Sequence, residues 1–347
     1  MESEMKIFIK LWISAIASLS YCYFISFNIP KGKFRFLSLL PVFYFLTILP
    51  LSLTSVTLGG LSSFFLTWLA NFKLLLFSFG EGPLSLDPSI SLSHFISIAC
   101  FPIKLKTPSP QISQTTVKST LNFTIKVLVL VLLSLAYGHI QYLHPKLILA
   151  YYCCYLYVVL EFYLQVIAFL VGKFLGLELE SQFDEPYLST SLQDFWGRRW
   201  NLMVTNILRP TVYLPTRLIV SKKLGSHWGQ LVAVYITFLA SGLMHEVMIY
   251  HLDIRRRMPT WEVTGFFALH GVLLVLEIGL KKALKDRWRL HPVLSWAFTV
   301  AILMVTSNWL FFPPMLRCEV DVRSSQDAIA IVDFYKNFAK SFDDSAY

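Results

Sequence analysis

One histidine stands inside a membrane-length apolar run, Leu231-Val-Ala-Val-Tyr-Ile-Thr-Phe-Leu-Ala-Ser-Gly-Leu-Met-His245-Glu246-Val-Met-Ile-Tyr250. A charged group at the centre of a bilayer helix costs roughly 2.5–3.5 kcal/mol on insertion scales, and a neutral imidazole costs less. Such a residue needs a partner, and general-base chemistry is one use for it. A neutral imidazole takes the proton of a hydroxyl while that oxygen attacks an electrophilic carbon. The structural alternative is a ring that donates to a neighbouring helix backbone and holds two spans together. Ser241 lies one turn earlier on the same face, where its hydroxyl is expected to orient the ring.

A second dense segment precedes it, Ser191-Leu-Gln-Asp194-Phe-Trp196-Gly-Arg198-Arg199-Trp200-Asn201. Folded as one helix, it would set Asp194, Arg198 and Asn201 along a single stripe. Arg198 and Arg199 beside Trp196 and Trp200 suit phosphate pairing with stacking on a purine. They suit equally an interfacial helix that holds anionic lipid headgroups. Asn201 alone carries little meaning.

Several chemistries are excluded. His245-Glu246 would need a second histidine where Ile249 stands to form a zinc-protease motif. No histidine is followed by the His-x-x-x-x-Asp spacing of soluble acyltransferases, and Gly-x-Ser-x-Gly is missing. Five cysteines (Cys22, Cys100, Cys153, Cys154 and Cys318) form neither a Cys-x-x-Cys pair nor a disulfide framework, so no metal is expected.

The elements that must carry these residues are transmembrane helices. Of 347 residues 55% are hydrophobic and only 15% charged, with mean hydropathy +0.58. Soluble domains hold about 25% charged residues, so the composition is that of a polytopic membrane protein. About eight spans are expected, near residues 8–27, 36–53, 58–79, 121–138, 147–175, 228–250, 262–280 and 293–312. Residues 1–10 lack the basic region of a cleavable signal, so the first run reads as an uncleaved anchor. Residues 94–103 are too few to cross and are expected at the interface or in a re-entrant loop. The fifth run is long enough to require tilt, a kink or projection from the bilayer.

Lysines and arginines set the orientation. Lys31, Lys33 and Arg35, then Lys104, Lys106 and Lys118, then the cluster 198–223, then Lys281, Lys282, Lys285, Arg287 and Arg289 all fall on one side. The net charge of +9 therefore suits an anionic leaflet better than nucleic acid. Arg255-Arg256-Arg257 lands on the opposite side, which requires either a local exception or a sixth span broken near His245. Residues 176–227 form the main non-spanning module, acidic at first (Glu178, Glu180, Asp184, Glu185). It continues as amphipathic cytosolic helices broken at Pro210 and Pro215. Residues 317–347 are a polar tail with a short surface helix near 329–340. The intramembrane Lys73, Glu161, His270 and Glu277 read as hydrogen-bonded pairs between helices or as the lining of a polar route. The sequon at Asn122 lies at a cytosolic helix start, where glycosylation is not expected.

The two motifs, in this order and 44 positions apart at Asn201 and His245, resemble the plant wax synthase branch of the membrane-bound O-acyltransferase family. That branch carries Ser-Leu-x-Asp-Phe-Trp-x-Arg-Arg-Trp-Asn and, within a membrane helix, Ser-Gly-x-x-His-Glu. The stretch Trp68-Leu-Ala-Asn-Phe-Lys-Leu-Leu-Leu-Phe77 is similar to it as well, so the likeness covers nearly the whole chain.

The resemblance implies an all-α, membrane-embedded acyltransferase domain over residues 1–316, in the endoplasmic reticulum membrane. It implies transfer of a fatty acyl group from acyl-CoA to a long-chain alcohol, giving a wax ester without metal or other cofactor. It also implies His245 as the base and Asn201 as the positioning or oxyanion residue. Asp194, Trp196, Arg198, Arg199, Trp200, Ser241 and Glu246 would contact substrate. A sterol acceptor shares every motif. A transporter would show inverted repeats and paired broken helices, and neither is apparent. Oligomeric state is not encoded in these motifs.

Overall fold

In hydrocarbon every backbone N–H and C=O must be paired within its own segment, so apolar runs of this length fold as helices. The computed structural model describes residues 2–85, 90–102, 115–176, 182–284 and 291–345, and every regular element among them is helical. In chain order these are α1 (Glu2–Asn28), α2 (Lys33–Ile48), α3 (Val56–Ser62), α4 (Asn71–Ser78), α5 (Leu92–Cys100), α6 (Thr115–Tyr137), α7 (Pro145–Leu175) and α8 (Leu192–Asp194). There follow α9 (Leu202–Leu208), α10 (Leu214–Leu224), α11 (Ser226–Leu252), α12 (Glu262–Ala283), α13 (Pro292–Thr306), α14 (Phe312–Arg317) and α15 (Val320–Ser345). Wider π-helical stretches occupy Ser63–Ala70, Phe195–Arg199, Arg209–Tyr213 and Ser307–Phe311.

Seven helices among the described residues are long and apolar enough to cross a membrane, and the chain is a multi-pass membrane protein. Seven of the eight expected spans coincide with them. The eighth folds as α6, but its described apolar part, Thr124–Tyr137, spans only about 21 Å at 1.5 Å per residue. Lys104, Lys106, Glu178, Glu180, Lys285, Arg287 and Arg289 lie outside the described residues, as do the side chains of Lys118 and Asn122.

Two compact units are present, and each is described by itself. The first comprises Met1–Phe101, Ile207–Gly271 and Pro313–Tyr347. Its centre is the span Val56–Ser78, whose apolar window is 67% buried against 11–33% for the other spans. Leu66, Trp68 and Leu74 on that span pack in a core with Leu19, Leu39, Leu46, Phe95 and Ile98. Of residues 94–103, those up to Cys100 belong to the short α5, whose Phe95 and Ile98 are buried. Buried Lys73 donates to the carbonyls of Ile98 and Phe101, placing a cation at the C-terminal end of α5.

Helices α10 and α11 form a hairpin through Gly225, whose φ of 87° suits glycine. At Gly229 a Cβ would lie 3.0 Å from the Arg217 carbonyl oxygen, so only glycine allows this approach. The expected breaks at Pro210 and Pro215 do not occur. The helical run continues from 202 to 224, with Pro210 inside the π-turn and Pro215 in the first turn of α10. A widened turn gives the proline ring room, and its missing N–H forfeits little there.

Helix α11 is unbroken, so the conflict at Arg255-Arg256-Arg257 is not resolved by a broken span. Arg256 donates to the carbonyls of Tyr250, His251 and Leu51, and Arg257 to Asp253 and the Arg317 carbonyl. These two cations serve helix ends rather than an open loop. Burial works against the Asp253 carboxylate, but hydrogen bonds from Arg257 and Arg255 outweigh it and hold its pKa below the usual value. The tail helix α15 is longer than expected. Its Asp327 accepts from Ser55 Oγ and the Thr57 N–H at the start of α3, and Arg323 donates to the Leu252 carbonyl.

The second unit comprises Pro102–Asn206 and Val272–Phe312. Its α7 is a single helix of 31 residues, without a proline kink. Glu161 on α7 accepts from Lys126 of α6 and from Gln165 one turn away, which is the structural pairing expected of an intramembrane carboxylate. Trp296 of α13 donates through Nε1 to the Tyr187 carbonyl.

Candidate active site

His245 lies in the first unit on α11. Its Nδ1 is 2.8 Å from the backbone oxygen of Ser241, one turn earlier. A carbonyl only accepts, so Nδ1 carries the hydrogen of that bond and Nε2 holds the lone pair of the neutral ring. The Ser241 carbonyl thus performs the orientation expected of its hydroxyl. A helical backbone offers its oxygen at i−4, which is the closer group for a ring folded back along the axis. The imidazole is flanked by the Phe267 ring at 4.4 Å and by Trp68 at 4.8 Å, the latter almost perpendicular.

Glu246, buried beside the histidine, uses both carboxylate oxygens on the N-terminus of α12. Oε1 accepts the Trp261 N–H, while Oε2 accepts the N–H and hydroxyl of Thr264. An anion at a helix N-terminus is favoured by unpaired amides and the helix dipole together. Glu246 therefore fixes the helix that brings Phe267 against the imidazole. A lone Glu in an apolar run was visible in the sequence, but its partner was not. Further along α11, the His251 Nδ1 and Ser63 Oγ are 2.7 Å apart, both buried.

The 191–201 segment lies in the second unit and is not one helix. Ser191 caps α8 by accepting from the Asp194 N–H, and the chain then widens into π-helix through Arg199. Trp200 is extended and Asn201 adopts φ 43°. The expected stripe of Asp194, Arg198 and Asn201 is therefore lost. In a π-turn residues five apart align, so Asp194 pairs with Arg199, Nε to Oδ2 at 2.8 Å. Arg199 also donates to the carbonyls of Asp184 and Glu185. Arg198 is exposed, and no partner takes it among the described residues.

The two tryptophans divide likewise. Trp200 stacks on Phe195 at 5.2 Å and meets Phe183 edge-on at 5.0 Å. Trp196 stands edge-on to Phe195. Trp200 thus belongs to an aromatic cluster of the protein itself. Glu277 receives the Leu192 and Gln193 N–H groups and Lys281, anchoring the start of the segment. Its expected partnership was with another helix, and this is the form it takes.

Asn201 stands where an N-cap residue would stand for α9, yet its side chain does not cap. The Gln182 carbonyl accepts the Leu202 N–H, and Gln182 Oε1 accepts the Met203 N–H at 3.0 Å. Asn201 Oδ1 is left buried without a partner among the described residues. A buried acceptor without a partner is unusual and calls for an explanation. Asparagine tolerates the left-handed backbone better than most residues, so the site retains a carboxamide at modest strain. Gln182 gave no signal in the sequence.

An oriented imidazole on a membrane-length helix and a polar segment of irregular backbone are thus present, each in its own unit. The family model described as "Membrane bound O-acyl transferase family" matches residues 179–269, which include both motifs. A relative named "Probable long-chain-alcohol O-fatty-acyltransferase 3", from Arabidopsis thaliana, is 47% identical over 339 residues, covering 97% of each chain. The "Long-chain-alcohol O-fatty-acyltransferase" of Simmondsia chinensis is 45% identical, covering 93% of each. The "Acyl-CoA--sterol O-acyltransferase 1" of Arabidopsis thaliana is 42% identical, covering 94% of this chain and 95% of its own. The chain belongs to the membrane-bound O-acyltransferase family and is an acyltransferase.

Proposed function

We propose that this enzyme transfers a long-chain fatty acyl group from acyl-CoA to a long-chain alcohol, forming a wax ester and free CoA. The near-full-length identity of 47% to a relative named for that reaction carries the reading. His245 is the general base. Its Nε2 takes the proton of the alcohol while the alcohol oxygen bonds to the thioester carbon. The carbon–sulfur bond then breaks, and the leaving thiolate recovers the proton from the imidazolium. Positioned base catalysis of this kind supplies about 10²–10⁴-fold, and the bond from Nδ1 to Ser241 supports it by holding the ring in the useful tautomer.

Asn201 is the positioning or oxyanion residue, and a carboxamide whose buried Oδ1 meets no partner among the described residues supports that reading. Arg198 meets the phosphates of CoA, a role suited to an exposed cation that no partner takes among the described residues. Asp194, Arg199, Trp196, Trp200 and Glu246 contribute by shaping and holding the substrate-binding segments. Residues 1–316 act as one acyltransferase domain in the endoplasmic reticulum membrane, with an apolar interior that excludes water from the thioester.

The test is expression in microsomes with labelled acyl-CoA, offering fatty alcohol and sterol in parallel. Fatty alcohol ester is expected, abolished by His245→Ala and strongly reduced by Asn201→Ala, with the double variant no worse than the weaker single one. Full turnover by a folded His245→Ala enzyme would remove the base. The sterol reading is favoured by the 42% identity to a sterol acyltransferase, and ester formed with sterol alone would select it.

A further inference from the structure

Trp68 lies in the π-helical stretch Ser63–Ala70 of the most enclosed span. Its side chain is 1% exposed, and its Nε1–H is buried with no acceptor among the described residues. Leaving a buried donor unmet is unfavourable, and native proteins seldom do so without a reason. The indole stands 4.8 Å from the His245 ring, centroid to centroid, at an interplanar angle of 83°. A donor with nothing to hold thus adjoins the proposed base, on a π-turn of the kind that recurs at functional sites.

We propose that the Trp68 indole N–H donates to the carbonyl oxygen of the bound acyl thioester. This rests on the acyl-transfer reading above and adds to it a residue for the developing oxyanion. The reaction has two opposite hydrogen-bonding needs. The alcohol oxygen must lose a proton, which requires an acceptor, and His245 Nε2 is one. The carbonyl oxygen gains negative charge as the alcohol attacks, which requires a donor. His245 Nδ1–H is committed to the Ser241 carbonyl and cannot fill that need. An indole N–H donates only. Aimed at the alcohol it would withdraw electron density from the nucleophile, whereas aimed at the carbonyl it favours attack.

Two variants remove the N–H: Trp68→Phe, and Trp68→benzothienylalanine, which keeps the bicyclic shape with sulfur in place of N–H. In the full-length membrane enzyme both should lower kcat about 10²–10³-fold, with the KM for alcohol little changed. Two unreactive CoA analogues give a second readout that packing alone would not move. One keeps the carbonyl as a ketone, and the other has a thioether without it. Wild-type protein should favour the ketone, and both variants should lose about tenfold of that preference. Wild-type turnover retained by the benzothienylalanine variant, or an unchanged preference for the ketone, would overturn the assignment. A wild-type enzyme that esterifies neither alcohol nor sterol would instead defeat the acyl-transfer reading itself.

Discussion

His245 and Asn201 are presented by backbones of opposite character. The imidazole stands on an unbroken helix, and the carbonyl one turn back orients it. The carboxamide stands at φ 43° between a π-turn and a helix. It is available because Gln182 caps α9 in its place, while Glu277 and the Asp194–Arg199 pair hold the preceding turns. A ring that one helical turn can aim needs only local sequence. A carboxamide that would otherwise satisfy a helix end needs distant groups to do that work. One device is common to both regions, a carboxylate from a spanning helix on the N-terminus of another: Glu246 on α12 and Glu277 on α8.

The contrast breaks most visibly at Asn201. If the Asn201 carboxamide serves the reaction as proposed, Asn201→Gly and Asn201→Ala should both lose about 10²–10³-fold in turnover, the range for losing one positioned hydrogen bond to the transition state. Only the alanine should also lose stability, about 1–2 kcal/mol, because its Cβ is strained at positive φ. At His245, in regular helix, the order reverses: glycine is destabilising by roughly 0.5–1 kcal/mol relative to alanine. Thermal unfolding in detergent beside ester formation separates the two effects. An active Asn201→Gly enzyme would show that the backbone, not the carboxamide, is what this position provides.

The shared carboxylate device sharpens the comparison at a smaller scale. Glu246→Gln removes a charge from a buried cap and should lower stability by about 1.5–3 kcal/mol, the range for hydrogen bonds to charged groups. Glu277→Gln should lower it less, since Glu277 is partly exposed and also pairs with Lys281. Equal losses would mean that burial does not distinguish the two caps.

The smallest effects divide the arginines. Arg198→Ala should raise the KM for acyl-CoA several-fold with no change in unfolding temperature. Arg199→Ala should lower the unfolding temperature, by about 1 kcal/mol of stability, because Asp194 and two carbonyls lose their donor. The reverse pattern would exchange the roles of ligand contact and clamp.

Much of the architecture was legible because bilayer thickness imposes length and hydropathy on every span. Seven of the expected spans appear within a few residues, and the motif histidine lies on one of them. The stripe drawn through Asp194, Arg198 and Asn201 failed because it assumed 3.6 residues per turn through a segment that widens and then reverses. The helix breaks expected at Pro210 and Pro215 followed from proline's missing N–H, yet a π-turn accommodates Pro210 and the first turn of α10 accommodates Pro215. Trp68 could be read in a family-like stretch, but nothing in its neighbours foretold a buried indole donor beside an imidazole 177 positions later.

By itself the sequence determined the all-helical membrane class, the approximate spans and the residue types available for acyl transfer, since these follow from hydrophobic run length and local spacing. Only the tertiary structure decided which polar side chains are occupied. Glu246, Glu277, Arg199 and Lys73 are taken up by helix ends and carbonyls, whereas Asn201 Oδ1 and Trp68 Nε1 meet no partner among the described residues. Hydrogen-bond partnership joins groups far apart in the chain, so burial and packing must be fixed before it exists.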